Sequence, residues 1–354
     1  MGAVRDAARM LSHEFASGST YLDTACYGLP PSRALSALAD VTAAWAAGSY
    51  DPLSGDAAIA RARAAFGRIV GLPEAQVAIG HQVSPMVGMV ATSLRPGAQA
   101  LAAEGDFTSL LFPFLAAGCR LETVPLADLP DAIGRDTDVV AVSAVQSADG
   151  AVADLEAIAA AASEHAALTV IDATQACGWM PLEAGRFDVL VCGAYKWLCS
   201  PRGTAFMTLS ERAQAQLVPF SAGWYAGPDP WQTCYGTPLR LADDARCFDV
   251  SPAWFSWHAA ADALELLDAV GIERIHEHDL ALANRLRAGL GLPAANSAIV
   301  SVAGGDDAAA KLEQAGVTAS VRAGRVRLSC HLYNDVADVD RALEALSVRA
   351  LSRA

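Results

Sequence analysis

The chain has 354 residues, 53% of them hydrophobic and 18% charged, with a formal net charge of −14. That length suits a large core and two domains of unequal size. The acidity excludes a broad basic face for nucleic acid, and no run of 18 apolar residues is present to span a bilayer. The first stretch, MGAVRDAARMLSHEFASG, interrupts its apolar residues with Arg5, Asp6, Arg9, His13 and Glu14, so no signal-peptide core is expected and the cytoplasm is the expected compartment. Eight cysteines, at 26, 119, 177, 192, 199, 234, 247 and 330, show neither a C-x-x-C pair nor Cys/His zinc spacing. Buried reduced thiols and no metal are the expectation.

From about residue 75 to 210, short apolar runs alternate with helical patterns, the mark of βαβ units on a mostly parallel sheet. AIGHQVSPMVGMVATSLRPG (78–97) reads as a strand end, a short loop and a helix starting at Ser84-Pro85, with Ser84 as N-cap. DVVAVSAVQ (138–146), LTVIDA (168–173) and FDVLVCGA (187–194) are too continuously apolar for half-exposed strands and read as buried central ones. DLEAIAAAASEHA (154–166), with Asp154 as N-cap, is the crossover helix between the first two. TAFMTLS (204–210) follows as a neighbouring strand. The loop SAGWYAGPDPWQTCYGTP (221–238) is too rich in aromatics to be disordered and is predicted to be functional. Residues 259–290 are helical, 325–334 a strand and 335–351 the C-terminal helix, so a smaller α+β domain is expected at the C-terminal end.

Lysine occurs only at 196 and 311 in a chain with 25 Lys and Arg together. Lys196 follows a buried apolar strand, where a charge is costly to place. Lysine, unlike arginine, loses its proton near neutral pH and acts as an amine nucleophile. Asp172 also ends a predicted buried strand, and ligands of open α/β sheets sit at such carboxyl ends. A lysine and a carboxylate sharing a crevice are the pair that pyridoxal phosphate needs, one for a covalent link and one to keep the pyridine nitrogen protonated. The alternative from these residues alone is a structural ion pair. The start of the helix at Ser84-Pro85 offers an anion site for the phosphate. No G-x-G-x-x-G follows a first strand, which argues against a nicotinamide dehydrogenase.

VIDATQACGW (170–179), FDVLVCGAYKWLCSPRGTAF (187–206), YLDTACYGLPP (21–31) and VRLSCHLYN (326–334) together resemble the class V aminotransferase family of fold-type I pyridoxal-phosphate enzymes, over about residues 20 to 345. That family includes cysteine desulfurases, kynureninases and isopenicillin N epimerases. The resemblance implies an α/β fold-type I large domain with a mostly parallel seven-stranded sheet, over 21–250, and a small α+β C-terminal domain, over 251–354, on which residues 1–20 pack. It implies that Lys196 forms the Schiff base with pyridoxal 5'-phosphate, Asp172 pairs with the pyridinium nitrogen, and Gln175 bonds the phenolic oxygen. Phe107 falls where an aromatic ring or His stacks on the cofactor, with ordinary core packing as its plain alternative. Tyr195, Gln82 and Val83 belong to the phosphate site, which Ser251 completes from a second subunit of a homodimer. Arg327 matches the arginine that forks the substrate carboxylate; the plain alternative is a surface arginine on an edge strand.

The chain departs from the family at two places. No cysteine lies between Val321 and Arg327, where a desulfurase carries its nucleophile, and the family's His-x-x-Asn is replaced by Ala144 through Ser147. The fate of the substrate is therefore left to the mouth of the site. Trp224 is assigned there to the cofactor, and Cys26, Tyr27, Ser147 and Tyr225 to the amino-acid substrate. With no loop cysteine and with aromatic rings at the mouth, the reading leans to a lyase that eliminates at Cβ and cleaves C–S bonds, ahead of an aminotransferase or an epimerase. A non-catalytic scaffold is disfavoured by the intact lysine, aspartate and arginine.

Overall fold

The computed structural model describes residues 14–15 and 18–347. The first half runs β1 (Thr20–Tyr21), α1 (Ser32–Ala46), α2 (Pro52–Val70), β2 (Val77–Gly80), α3 (Val83–Ser93), β3 (Gln99–Ala103), α4 (Thr108–Ala116), β4 (Arg120–Val124), α5 (Leu129–Ala132), β5 (Val139–Ser143), α6 (Leu155–His165) and β6 (Leu168–Asp172). It continues with β7 (Val189–Gly193), β8 (Ala205–Leu209), α7 (Glu211–Gln216), α8 (Trp254–Val270), α9 (Ile272–Gly289), β9 (Ile299–Val302), α10 (Gly305–Gln314), β10 (Val317–Thr318), β11 (Ser320–Arg322), β12 (Arg325–Ser329) and α11 (Val336–Ser347).

Seven strands form one sheet in the order β2-β8-β7-β6-β5-β3-β4. Only β8 runs against its neighbours, β2 and β7. The strands expected at 138–146, 168–173, 187–194 and 204–210 are β5, β6, β7 and β8, every residue of them buried. Helices cover both faces, so continuous runs of Val, Ile and Ala are what these strands require. Asp154 caps α6 as its sequence suggests, accepting from the Ala157 N–H at 3.0 Å.

Two boundaries differ from the sequence reading. The helix expected to be capped by Ser84 starts two residues earlier, with Gln82 in the N-cap position and no side-chain cap. Pro85 thus sits in the third helical position, where its missing N–H still costs no hydrogen bond. The span 259–290 is two helices, parted at Gly271, whose φ of +90° an ordinary L residue rarely adopts.

The smaller sheet, β11-β12-β9, packs with α9, α10 and α11 around Leu282, Leu286, Val300, Leu312, Val326 and Leu328. β12 is its central strand, so Arg327 does not lie on an edge. β1 pairs with β10, which ties the chain's start to this small unit. Residues 1–13, 16 and 17 of the segment expected to pack there lie outside the described residues, as do 348–351 of the last helix. The boundary expected at 251 falls just before α8, whose Trp257, Ala260 and Leu264 join the main core beside Phe206. No described helix is long and apolar enough to cross a membrane.

A buried ion pair closes the main core. Arg63 of α2 and Asp249 meet at 2.6 Å, and Asp249 also accepts from the Ile79 N–H at 2.8 Å, while Arg63 reaches the Val77 carbonyl. Burial pushes the Asp249 carboxyl up, and Arg63 opposes it. Arg63→Met leaves that carboxylate buried without its cation, and should cost about 3–5 kcal/mol in urea unfolding; pairing it with Asp249→Leu should recover most of the loss.

Candidate functional site

Lys196 sits on a tight turn after β7. The turn is closed by Cys199 N–H to the Lys196 carbonyl at 3.0 Å and Ser200 N–H to the Ala194 carbonyl at 3.1 Å. Three neighbours press on successive carbonyls of this turn. Gly28 donates its N–H to the Tyr195 carbonyl at 3.0 Å, and a Cβ at Gly28 would overlap the Lys196 carbonyl. Gly178, at φ +107°, lies so close that its Cβ would overlap the Trp197 carbonyl. His331, just past β12, faces that same Trp197 carbonyl through Nε2 at 2.9 Å and Asp279 of α9 through Nδ1 at 2.8 Å. Both ring nitrogens of His331 face acceptors, so both must carry protons. Burial alone would lower the His331 pKa, but Asp279, with a smaller contribution from Cys199, raises it to about 10.

The ends of parallel strands deliver the rest of the site. β6 and β7 pair with Asp172 opposite Val191, which sets the Asp172 carboxylate beside the Lys196 turn. Both side chains are buried, Lys196 at 8% exposure and Asp172 at 5%. Burial lowers the Lys196 ammonium to about 8, and Asp172 opposes that fall. The Asp172 carboxyl is itself pushed up by burial, against a hydrogen bond from the Thr174 N–H at 2.9 Å and the charge of Lys196. Phe107 and Tyr195 each place a ring centroid 5.7 Å from Lys196 Nζ. Gln175 donates to the Ala25 carbonyl at 2.9 Å and accepts from the Trp197 indole at 2.8 Å, so one amide N–H remains for a ligand.

These groups line one cleft, together with Gln82, Val83 and Ser84 at the start of α3, and Ser109, Ser143, Ser147, Thr174 and Arg202. Of the residues singled out in the sequence, the fold thus brings together Lys196, Asp172, Gln175, Phe107, Tyr195, Gln82, Val83 and Ser147. Arg327 stands behind this wall, 2% exposed, donating to the Ser147 carbonyl at 2.6 Å, with Asp23 3.6 Å away. Its Nε is buried with no hydrogen-bond partner among the described residues. Tyr27 borders the entrance, 5.8 Å from the Tyr195 ring, its hydroxyl accepting from the Arg202 N–H at 3.3 Å. Cys26 accepts from Arg322 at 3.4 Å.

Trp224, Tyr225 and Ser251 are not brought into this cleft by the single chain. Trp224 and Tyr225 belong to a cluster on α2 in which Asp56 accepts from the Tyr225 hydroxyl, the Trp231 indole and the Trp254 indole at 2.8 to 2.9 Å. Ser251 is exposed. The sequence reading passed over two residues that matter, Asp106 beneath the cleft wall and Arg202 in it. Asp106 is a buried carboxylate accepting from Phe107 N–H at 2.6 Å, Ser143 N–H at 2.8 Å and the Gln146 amide at 3.0 Å, so it fixes Phe107 against β5. Arg202 lays its guanidinium 4.3 Å over the Tyr195 ring. The signal for Asp106 was an acidic residue in a Gly-Asp-Phe turn directly after a buried strand.

Comparison with known proteins agrees with this architecture. The family model described as aminotransferase class-V matches residues 116–301, more than half of the chain. The uncharacterised aminotransferase YcbU of Bacillus subtilis is 26% identical over 320 residues, covering 82% of this chain and 84% of its own. An isopenicillin N epimerase of Amycolatopsis lactamdurans is 26% identical over 338 residues, covering 80% of this chain and 83% of its own. Among solved structures, the cystine C–S lyase C-DES in complex with cysteine persulfide superposes with a TM-score of 0.83 at 19% identity, over 93% of this chain and 97% of that one.

Two outcomes follow from the electrostatics. In cofactor-free protein, modification of Lys196 by an amine-directed reagent, followed by mass spectrometry, should have its midpoint near pH 8, and Asp172→Asn should move that midpoint lower by removing the charge that favours the ammonium. The His331–Asp279 pair holds a proton that an unfolded histidine, with its ordinary value of 6.5, has released. Its stabilisation is therefore complete below about pH 6.5 and lost as pH rises through about 10, and Asp279→Asn should cost about 3–5 kcal/mol in denaturant unfolding near neutrality.

Proposed function

Because the chain belongs to the class-V aminotransferase family and is a pyridoxal-phosphate-dependent enzyme acting on an amino acid, we propose that Lys196 holds the cofactor and that the cleft cleaves a C–S bond by elimination at Cβ. The observation that carries this reading is the buried Lys196 beside the buried Asp172 at the ends of two adjacent parallel strands. The residues of the cleft fit the group. A partly deprotonated amine at Nζ gives the covalent attachment, and a carboxylate with a fixed hydrogen bond to Thr174 suits a protonated pyridine nitrogen. Gln175 keeps one N–H for the phenolic oxygen. Phe107 offers a ring at the cofactor's face. Tyr195, with Gln82 and Val83 at the uncapped start of α3, suits the phosphate.

When bound, pyridoxal phosphate supplies an electron-accepting ring for the electrons of a bond broken at the substrate Cα. The chain's own groups do the rest. Arg327, whose Nε has no hydrogen-bond partner among the described residues, holds the substrate carboxylate. Lys196 Nζ, lowered to about 8, takes the Cα proton as general base near neutral pH. The turn and its three neighbours hold that nitrogen in place while the proton moves.

Elimination is favoured over persulfide transfer because the β11–β12 hairpin carries Ala323 and Gly324 at its tip and no cysteine. Cys330 is fully buried, and burial raises its thiol far above the ordinary range. Tyr27, Phe107 and Tyr195 form an aromatic entrance suited to a bulky thioether side chain. The alternative is transamination or epimerisation, which the aminotransferase and epimerase relatives at 26% identity favour. A homodimer is part of the same reading. An apolar groove that includes Pro85, Phe112, Pro113 and Phe220 adjoins the cleft, with Phe112 and Phe220 each 59% exposed. A second copy covering it would bring Ser251 toward the phosphate site.

Purified protein with added cofactor should show an absorption band beyond the protein's own, lost in Lys196→Ala. Incubated with cysteine conjugates, it should release pyruvate, ammonia and the free thiol in equal amounts. Stoichiometric amination of the cofactor with no thiol released would favour the aminotransferase, and racemised amino acid the epimerase. Sedimentation should find a dimer, and an active cofactor-loaded monomer would overturn the shared site.

A further inference from the structure

The β11–β12 hairpin presents two chemically opposite faces. Ser320 pairs with Arg327 and Arg322 with Arg325 across the two antiparallel strands. Opposed side chains share a face and successive ones alternate, so Ser320, Arg322, Arg325 and Arg327 stand together while Val321, Val326 and Leu328 enter the small core. The polar face is turned to the cleft side. Arg327 bonds the carbonyl of Ser147, a residue of the cleft wall, and Arg322 bonds Cys26 Sγ.

Three arginines on one face need an explanation in a chain with 14 more acidic than basic charges. Arg325 is satisfied by Ser301, through Nε to the hydroxyl at 2.8 Å and Nη2 to the carbonyl at 3.0 Å. Arg327 has Asp23 at 3.6 Å, but Asp23 Oδ1 already accepts from Ser320 at 2.8 Å. Arg322 forms no ion pair among the described residues; its guanidinium has only the Val321 carbonyl and a thiol, a weak acceptor. Two cations on one diagonal of the hairpin, about 7–8 Å apart at the backbone, thus share one carboxylate that is itself engaged. An anion of two charges would relieve their repulsion and displace nothing stronger than the Arg322–Cys26 contact.

We propose that Arg322 is a second anion-binding position beside Arg327, and that the substrate is a thioether amino acid bearing an anionic group, such as a carboxylate, on its side chain as well as at Cα. This rests on reading the Lys196 cleft as the amino-acid site. Arg322 sets specificity; Arg327 takes the carboxylate common to all amino acids.

The test titrates the cofactor-loaded protein with aspartate and glutamate against asparagine and glutamine, matched in size, and reads dissociation constants from the cofactor's absorption and from calorimetry. The wild type should bind the acidic member of each pair at least about tenfold more tightly, the ratio shrinking as salt is raised. Arg322→Gln should bring the ratio to about one, and Arg322→Lys should retain most of it. Because Arg322 is exposed, neither change threatens the fold. Equal binding of acidic and neutral partners by the wild type, or an unchanged ratio in Arg322→Gln, overturns the proposal while leaving the Lys196 reading standing. A cofactor spectrum indifferent to these four amino acids and to cysteine conjugates alike overturns that reading, and this proposal with it; indifference to the four alone overturns only this proposal.

Discussion

Everything in the site depends on how closely the backbone is allowed to approach the Lys196 turn. Gly28 meets the carbonyls of Tyr195 and Lys196, and Gly178 and the imidazole of His331 both meet that of Trp197. A Cβ at either glycine would enter the space of a carbonyl oxygen, so the absence of side chains there permits the contact. His331 brings the opposite device, a charged donor from the small unit. A buried lysine is tolerable only if its surroundings are fixed; otherwise the chain would relax to let the ammonium reach water. The three contacts come from the segment after β1, the loop after β6 and the end of β12. The turn is therefore a junction between the large and the small unit.

That junction explains why two buried ionisable pairs serve different ends. Arg63–Asp249 binds helix to sheet within the main core and touches nothing in the cleft. His331–Asp279 is equally buried but spends its second proton on the Trp197 carbonyl, one residue from the lysine. A neutral histidine there would face the carbonyl with a lone pair or lose Asp279. Its charge is thus a structural requirement, with the carboxylate as its source. The electrostatics of the cleft are shaped likewise by burial first and by charge second. Burial draws Lys196 down toward neutral pH, and Asp172 keeps it from falling further. An amine so poised both holds and releases a proton under ordinary conditions.

The aromatic residues show how one composition serves two purposes. Phe107 and Tyr195 flank Lys196 Nζ at equal distance, held by Asp106 and by the Arg202 guanidinium. Trp224, Tyr225, Trp231 and Trp254 gather instead around Asp56 on α2, which accepts three of their donors. A carboxylate that satisfies two indoles and a phenol is a strong local organiser, because each of those groups is costly to bury unpaired. Through Tyr225 and Trp231, Asp56 ties the 221–238 loop to α2.

Much of this could be read from the residues in order. Burial on both faces of a parallel sheet demands unbroken apolar runs, so β5, β6 and β7 were legible, and Asp172 and Lys196 stood out as charges at or just beyond the ends of two of them. Asp154 was legible as a cap because capping is local. The start of α3 moved by two residues, and the helix pair α8 and α9 parted at Gly271, because such limits follow from tertiary packing and backbone φ more than from composition. Pairing between distant segments decided the remainder. The central place of β12 made Arg327 a buried inward residue, Asp56 drew Trp224 and Tyr225 to α2, and His331 reached the Trp197 carbonyl across 134 positions. The sequence by itself determined which chemistry the chain can hold, since residue type and local burial settle that. Only the tertiary structure decided which charges meet, because an arginine or a histidine takes its role from partners that lie hundreds of residues away or on another sheet.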